Sequence, residues 1–582
     1  MLDLLRETPL GQGIRLLSRN TLLQYPEERS DFQLPPQYLA QLQQASKSTQ
    51  QNAVEKLYET AIDPADSDDT DSPVSVQSEE GDIEALGRVM TQPGRDLTVE
   101  RTKSLPIAPQ RTSDGIILVD WYTTDDPANP QNWSSAKKAL VMSILCTYTF
   151  TVYCAGPTYS IAGHLIEEHF GVSAVAASLG LGLYVLAYGI GDLLFAPLSE
   201  IPVIGRNPVY WAPFIIFWVL SFGDVFTDGF GSLLALRFWL GFFGSPALAN
   251  GGATAGDLFS LYDFPFGLSW WVFSAWAGPA IGPVIGGFAA EAKGWRWAMW
   301  EIVWMASIAL VALLVLMPET SGPNILLRRA RRLRKLTGDS RLQSQSEIDQ
   351  RNMQVSEILS TALIRPMEIM LKDPSIFFVN LYTGFFYGVF YSFFEVFPLV
   401  FPPMYGFSLS QTGLTFLSCL VGVTIAISLY FAYLYFYMVP DNRKNGLREQ
   451  EHRLVPAIVG SFFITVGLFI FAWTSRPDIP WIAPLIGVGI FCIGHFWTMQ
   501  SIFIYLPLSY PKYTASLFAG NSVWRSGIAV GCVAFARPLF VNLGVDRGVT
   551  LLGGLSVAGI LGTTAIYIFG KNLRARSKFA DS

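Results

Sequence analysis

The chain has 582 residues, of which 51% are hydrophobic, 14% aromatic and only 15% charged, with a mean hydropathy of +0.35. A soluble domain carries roughly 25% charged residues, so a deficit this large excludes an ordinary soluble enzyme and points to a polytopic membrane protein. Net charge is −6, with the signs segregated: acid gathers between Asp63 and Glu84, base between and after the apolar segments.

The first 135 residues are polar. The acidic run Asp63, Asp66, Asp68, Asp69, Asp71, Glu79, Glu80, Asp82 and Glu84 stands among Ser, Thr and Pro with no hydrophobic period, so residues 1–135 read as a largely disordered, acidic tail. No secretory signal precedes it, because Arg6, Glu7 and Arg15 interrupt the leucines. Leu10, Ile14 and Leu17 have the spacing of one helical face that can lie on a membrane surface.

From residue 139, apolar stretches long enough to cross about 30 Å of hydrocarbon recur. They cover 139–161, 175–198, 208–226, 233–252, 264–289 and 297–317, then 375–401, 410–437, 454–473, 480–506, 514–541 and 549–570. Six spans, a polar stretch over 318–374 and six more spans are the layout of two repeats. The expected fold is all-α: twelve transmembrane helices in two six-helix bundles, 136–317 and 375–570, with a short tail at 571–582. Lys and Arg concentrate in the even loops and tails, including Lys137, Lys138, Arg206, the cluster Arg328 to Lys335, Arg443, Lys444, Arg453, Lys512 and Lys578. That bias places both termini and the central loop in the cytosol. The Arg328–Lys335 cluster, with Leu326, Leu327, Ala330 and Leu333 interspersed, can also be drawn as a lipid-binding amphipathic helix. Positive-inside charge explains it as well and is preferred. The five cysteines all lie in apolar segments without metal-ligand or disulfide spacing, and read as packing residues.

Ionisable residues inside spans are costly and face a cavity or a partner. The candidates are Asp192, Arg237, Glu395, His495 and Arg525, with Asp257 at a span end. Around Glu395 the helical period puts Gly384, Gly388, Tyr391 and Ser392 on its face. Phe386, Phe390, Phe393 and Phe397 fall opposite, which suits a polar cavity in front and lipid behind. Glu395 is thus a candidate proton carrier, with a structural ion pair to an Arg as the alternative. Asn521 and Arg525, one turn apart, read as cavity wall. Arg237 shares a face with Gly241, Gly244 and Ser245; it can tune a neighbouring carboxylate but cannot carry the proton itself. His495 reads as a hydrogen-bonded residue rather than a relay. In span five, Gly278, Gly282 and Gly286 form a small-residue face, while Pro279 and Pro283 remove helical hydrogen bonds. With Gly287 they suit a tightly seamed hinge. The loop Pro197 to Pro208 offers Glu200, Gly205 and Arg206 as a charge latch.

These stretches together resemble the major facilitator superfamily, and within it the twelve-span fungal drug:H+ antiporters. The 196–208 loop is similar to the family's motif A, with Glu200 and Arg206 in its acid and base positions. Leu236 to Gly241 is similar to motif B, whose arginine is associated with proton coupling. Gly278 to Gly287 is similar to motif C, associated with antiporters. The likeness sharpens toward the yeast exporters that confer resistance to benomyl, methotrexate, cycloheximide and fluconazole. Carrying it are Asp126 to Trp133, Phe242 to Pro246, Asn250 to Ala253, Pro318-Glu319-Thr320, Phe393 to Pro398, Leu573 to Lys578 and the Tyr-Pro-Glu-Glu at Tyr25 to Glu28. The family usually has Gly-Pro where this chain has Gly191-Asp192, and Pro-Gly where it has Ala162-Gly163, so Asp192 places an extra carboxylate beside motif A.

The resemblance implies a proton-coupled exporter of structurally diverse amphipathic compounds, working by alternating access in the plasma membrane rather than the vacuolar one. Proton coupling is expected at Arg237, Glu395 and Asp257, and the substrate cavity at Tyr391, Ser392, Asn521, Arg525 and His495. Gating is expected at Asp192, Glu200, Gly205 and Arg206, and the antiporter seam at Gly278, Pro279, Gly282, Pro283, Gly286 and Gly287. No cofactor or metal is expected, the proton gradient being the energy source, and no catalytic residue, since no HExxH, GxSxG or GxxxxGK[ST] appears. The expected partners are small amphipathic substrates, protons and the lipid bilayer, without nucleic acid, for a monomer. A dedicated exporter of one secondary metabolite or polyamine, and a non-transporting sensor of the same fold, are the alternatives.

Overall fold

The structure, a computed structural model, describes residues 2–42, 104–112, 115–260, 263–350, 364, 367–446, 448–510 and 514–577. The acidic run from Asp63 to Glu84, Lys512 and Lys578 lie outside them. Because hydrocarbon offers the backbone no hydrogen bonds, each apolar stretch satisfies its own as a helix. Among the described residues, eleven helices are long and apolar enough to cross a membrane, and Phe230–Gly244 is a shorter apolar one.

Spans one to six are Ser135–Ile161, Ala174–Glu200, Arg206–Phe226, Phe230–Gly244 continued by Pro246–Leu258, Phe264–Lys293 and Trp295–Leu316. Span seven is Pro374–Tyr405. Span eight runs from Leu409–Thr415 through Leu417–Tyr433 and a π-helical turn, Leu434–Met438, to Val439–Asn445. Spans nine to twelve are Val455–Thr474, Ile482–Ser509, Thr514–Leu543 and Val545–Arg576. The expected twelve crossings are all present. Span four differs: the single helix expected over 233–252 is broken at Ser245, because Pro246 at the start of the second piece has no N–H to continue the first.

The two halves repeat one packing plan. Span one packs on five, two on four and three on six; seven packs on eleven, eight on ten and nine on twelve. Between the halves, span two meets eleven and span five meets eight. Close approach depends on small residues. A side chain at Gly278, Gly282 or Gly286 would meet backbone or Cβ atoms of span one 2.8 Å away, so this face seals five to one inside the first half. The neighbouring face, at Pro283 and Gly287, meets Gly413, Leu409 and Ser410 of span eight. Gly384 and Gly388 pack on Ile528 and Cys532 of span eleven. The face of span seven expected to line a cavity is in part a helix seam.

The two ends of the N-terminal segment, on either side of the acidic run, are folded. Residues 2–42, 104–112 and 115–134 wrap a basic helix, Gly322–Thr337, on the side of the molecule that carries residues 2 and 577. Strand β1 (Ile117–Leu118) pairs in parallel with β2 (Leu342–Gln343), and Tyr38, Ile117, Val119, Ala330, Leu333 and Leu342 form a small separate core. Within the arginine cluster, Arg329 binds Asp126 at 2.7 Å and Glu27 at 3.5 Å, and Arg332 binds Glu27 at 3.1 Å. Arg332 also covers the Tyr25 ring. The cluster is therefore a docking post for the N-terminal segment, a use that charge counting did not reveal. On the adjoining helix Pro9–Leu17, Leu10, Leu16 and Leu17 are exposed.

Burial pushes the Asp126 carboxyl up, but the Arg329 guanidinium and the Tyr122 and Ala128 N–H groups outweigh it and hold it below the usual range. A depressed carboxyl stabilises the fold above its unfolded value, about 3.9, and that stability is lost as pH falls through the lower folded value. Hydrogen exchange should show 104–134 protected at pH 6 and progressively released below about pH 4. Arg329→Met should release it already at pH 6, at a cost of about 3–5 kcal/mol for the stranded carboxylates; unchanged protection would contradict this.

Candidate functional site

The rare charges of the spans form three layers. The first, on the terminus side, is the motif A loop. Arg206 binds Asp257 at 2.9 Å and donates to Ser199 at 2.9 Å. The Arg206 and Asn207 N–H groups donate to Glu319 at 3.0 and 3.2 Å. Gly205 has φ +79°, and a side chain there would meet Glu319 and Asn324 at 2.6–2.9 Å. Two expectations change. Glu200 is exposed at the helix end and makes no ion pair among the described residues. The acid partner of Arg206 in this structure is Asp257.

The second layer is the middle, where spans two, seven and eleven meet across the halves. The Tyr188 hydroxyl bonds Tyr387, and also Tyr391 at 3.2 Å. One turn further, Asp192 is 0% exposed and accepts from Ser522 at 2.5 Å. Its other oxygen has no partner, nor has Arg525 Nε, although the two side chains line one small cavity with Asn521 and Trp271. The Arg525 guanidinium lies over the Tyr387 ring, 4.6 Å from its centre. Asp192 thus sits at the contact between the halves and takes no part in the motif A latch. His495 has neither ring nitrogen bonded and is boxed by Trp276 and Phe386 at 4.5 and 4.4 Å, unlike the hydrogen-bonded residue expected. Asn521 donates to Asn380 and Thr383 of span seven at 2.8 and 2.7 Å.

Tyr153, Trp276, Tyr387, Tyr391, His495 and Arg525 line a central cavity of about 40 Å³, room for only a few waters. Ser392 does not reach it and returns its hydroxyl to the Val389 carbonyl of its own helix. The phenylalanines expected to face lipid are buried: Phe390 lines the cavity, Phe386 stacks on His495, and Phe393 and Phe397 pack on Phe471. Span seven is enclosed because spans nine, ten and eleven all cover it.

The third layer is a vestibule of about 400 Å³ on the far side, lined by Tyr159, His164, Glu167, Glu395 and Arg537 among others. Arg537 pairs with Glu167 at 3.3 Å, joining the halves. Glu395 is 9% exposed and has no ion pair among the described residues, so the alternative of a structural Arg pair is not realised. Arg237 does not touch it. Its guanidinium binds Asp224 at 2.5 Å, donates to the Ala155 carbonyl at 3.1 Å and lies over the Tyr159 ring. With both charges buried and paired, Arg237 braces the vestibule wall from behind. Asp224 was missed by sequence reading, although an acid in the last turn of an apolar span is itself the signal.

The terminus side is shut in this structure. Gly189 packs on Ser522 and Ser526, and Gln500 of span ten donates to Ser269 of span five at 3.0 Å. The cavity sequence is closed at one end and open at the other.

A family model described as Major Facilitator Superfamily matches residues 141–532. The MFS-type transporter pyvG of Aspergillus violaceofuscus is 43% identical over 473 residues, which cover 81% of this chain and 87% of that protein. The cycloheximide resistance protein of Candida maltosa is 35% identical, covering 80% and 86%. Fluconazole resistance protein 1 of Saccharomyces cerevisiae is 34% identical, covering 84% and 90%. Among solved structures, the xylose transporter XylE from E. coli matches with a TM-score of 0.52 at 16% identity, over 75% of this chain and 98% of that one, a likeness of fold alone.

Removing one partner of a buried ion pair strands the other. Arg237→Ala should therefore lower thermal stability in detergent by about 3–5 kcal/mol, while Arg237→Met combined with Asp224→Leu should restore most of it. A double variant as unstable as the single one would contradict the pairing.

Proposed function

The chain belongs to the major facilitator superfamily, and we propose that it exports structurally diverse amphipathic toxicants in exchange for protons, by alternating access between its two halves. The observation that carries this reading is Glu395. It is a carboxylate with no ion-pair contact among the described residues, in a vestibule that adjoins an aromatic central cavity, while the opposite end is shut. A carboxylate not fixed in an ion pair is free to bind a proton on one side and give it up on the other.

In the shape described, protons reach Glu395 from the far side. Protonation removes a charge from the seam between the halves and favours its closure. On the terminus side, the contacts Asp192–Ser522 and Gln500–Ser269 then part, and Asp192 becomes accessible there. Cargo enters against Tyr153, Trp276, Phe390 and Tyr391, whose apolar faces discriminate poorly among similar ligands; that gives breadth. Proton release and cargo binding on the terminus side, followed by return, complete the exchange. The relatives named for cycloheximide and fluconazole resistance support this choice of cargo. The same reading places the chain in the plasma membrane as a monomer with its termini in the cytosol, drawing on the proton gradient and no cofactor.

A pH difference of one unit supplies about 1.4 kcal/mol per proton, a factor of about ten in a coupled solute gradient. In a pump-deleted yeast screened against a toxicant panel with and without a protonophore, the chain should confer resistance to several compounds, abolished by the protonophore. Glu395→Gln should remove that resistance while leaving protein levels unchanged. Equal, protonophore-sensitive resistance in the variant would rule out the role of Glu395. Resistance to a single compound would identify a dedicated exporter.

A further inference from the structure

Spans one and five do not close on each other along their whole length. Below the glycine seam, toward the terminus side, they leave a groove of about 880 Å³, within the 300–1,000 Å³ typical of small-molecule sites. Its walls are largely apolar and carry several aromatic rings, with Phe150 and Cys146 from span one and Phe266, Trp270 and Phe273 from span five. Trp270 is 55% exposed. At the terminus-side mouth stand one base and one acid, Lys138 and Asp263. The charges balance, so the mouth accepts a polar or zwitterionic end without selecting an anion.

Two further facts tie this groove to the transport path. Span five is a single wall between it and the central cavity: Trp270 and Phe273 face the groove, while Trp271 and Trp276 face the cavity. Phe266 and Trp270 also meet the ring of Phe431 of span eight, tilted at 5.4 Å and edge-on at 6.0 Å between ring centres. That contact crosses from one half to the other. It must break whenever the halves part on the terminus side.

We infer that the groove is a waiting site for amphipathic cargo drawn from the adjoining leaflet, and that Phe266 and Trp270 against Phe431 form its lateral gate into the central cavity. This rests on the export reading above. Flat aromatic bodies match stacking walls better than flexible acyl chains do, and the balanced mouth gives a phospholipid headgroup no advantage.

Cys146 makes the site testable in the unaltered protein, because it alone among the five cysteines is not fully buried. A membrane-permeant maleimide should label the full chain in proteoliposomes at Cys146, with Cys146→Ser as the blank. A compound to which the chain confers resistance should slow labelling saturably. Trp270→Ala should raise its half-protecting concentration about tenfold, the equivalent of one lost stacking contact. Labelling that no effluxed compound slows, or that added phospholipid slows and drug does not, would overturn the inference. Drug flux measured in the same vesicles separates the two readings. Flux without protection removes the groove and leaves export standing, whereas absent flux counts against export.

Discussion

Placing a charge at the centre of a membrane helix costs about 2.5–3.5 kcal/mol on insertion scales, and each ionisable residue in these spans answers that cost in its own way. Arg237 and Asp224 cancel each other at 2.5 Å behind Tyr159. Arg525 is covered by the face of Tyr387. Asp192 and Glu395 have no cation in ion-pair contact, and both lie where the two halves meet. The Arg237–Asp224 and Arg206–Asp257 pairs each lie within the first half, the Arg537–Glu167 pair bridges the two halves, and the unpaired carboxylates stand on the surface along which the halves move.

The mechanical division follows from where small residues fall. Gly278, Gly282 and Gly286 fasten span five to span one within a half, so that pair moves as a unit. Besides the close approach of Gly413 to Pro283 and the Arg537–Glu167 pair, the contacts between halves include hydroxyls from Tyr188, Tyr387 and Ser522, an amide from Gln500, and the rings of Phe266, Trp270 and Phe431. Polar and edge-on aromatic contacts of this sort are individually weak.

The crossings were legible because twenty apolar residues in a row leave the backbone no other choice than a helix. The likeness to a family added motifs, and in the structure Arg206 and Gly205 lie against Asp257 and Glu319 while the span-five glycines pack on span one. Pairings were less legible, since they depend on which helices become neighbours. Glu200 and Asp257 are both acids near Arg206, and only the third dimension chooses Asp257. Helical period separated the faces of span seven but could not tell that its aromatic side is enclosed by spans nine and ten. The folding of residues 2–42 onto Gly322–Thr337 joins positions some three hundred apart, through Glu27, Arg329 and Arg332, and leaves no local periodicity to read.

The central claim is that cargo and protons move in opposite directions through one pathway. Its most direct measurement is the purified full chain in proteoliposomes carrying a pH-sensitive dye, given a gradient of an effluxed drug and no initial pH difference. Drug movement should drive a pH change of opposite direction, absent in empty vesicles and collapsed by a protonophore. Drug movement with no proton movement, or with protons travelling alongside the drug, would contradict the account.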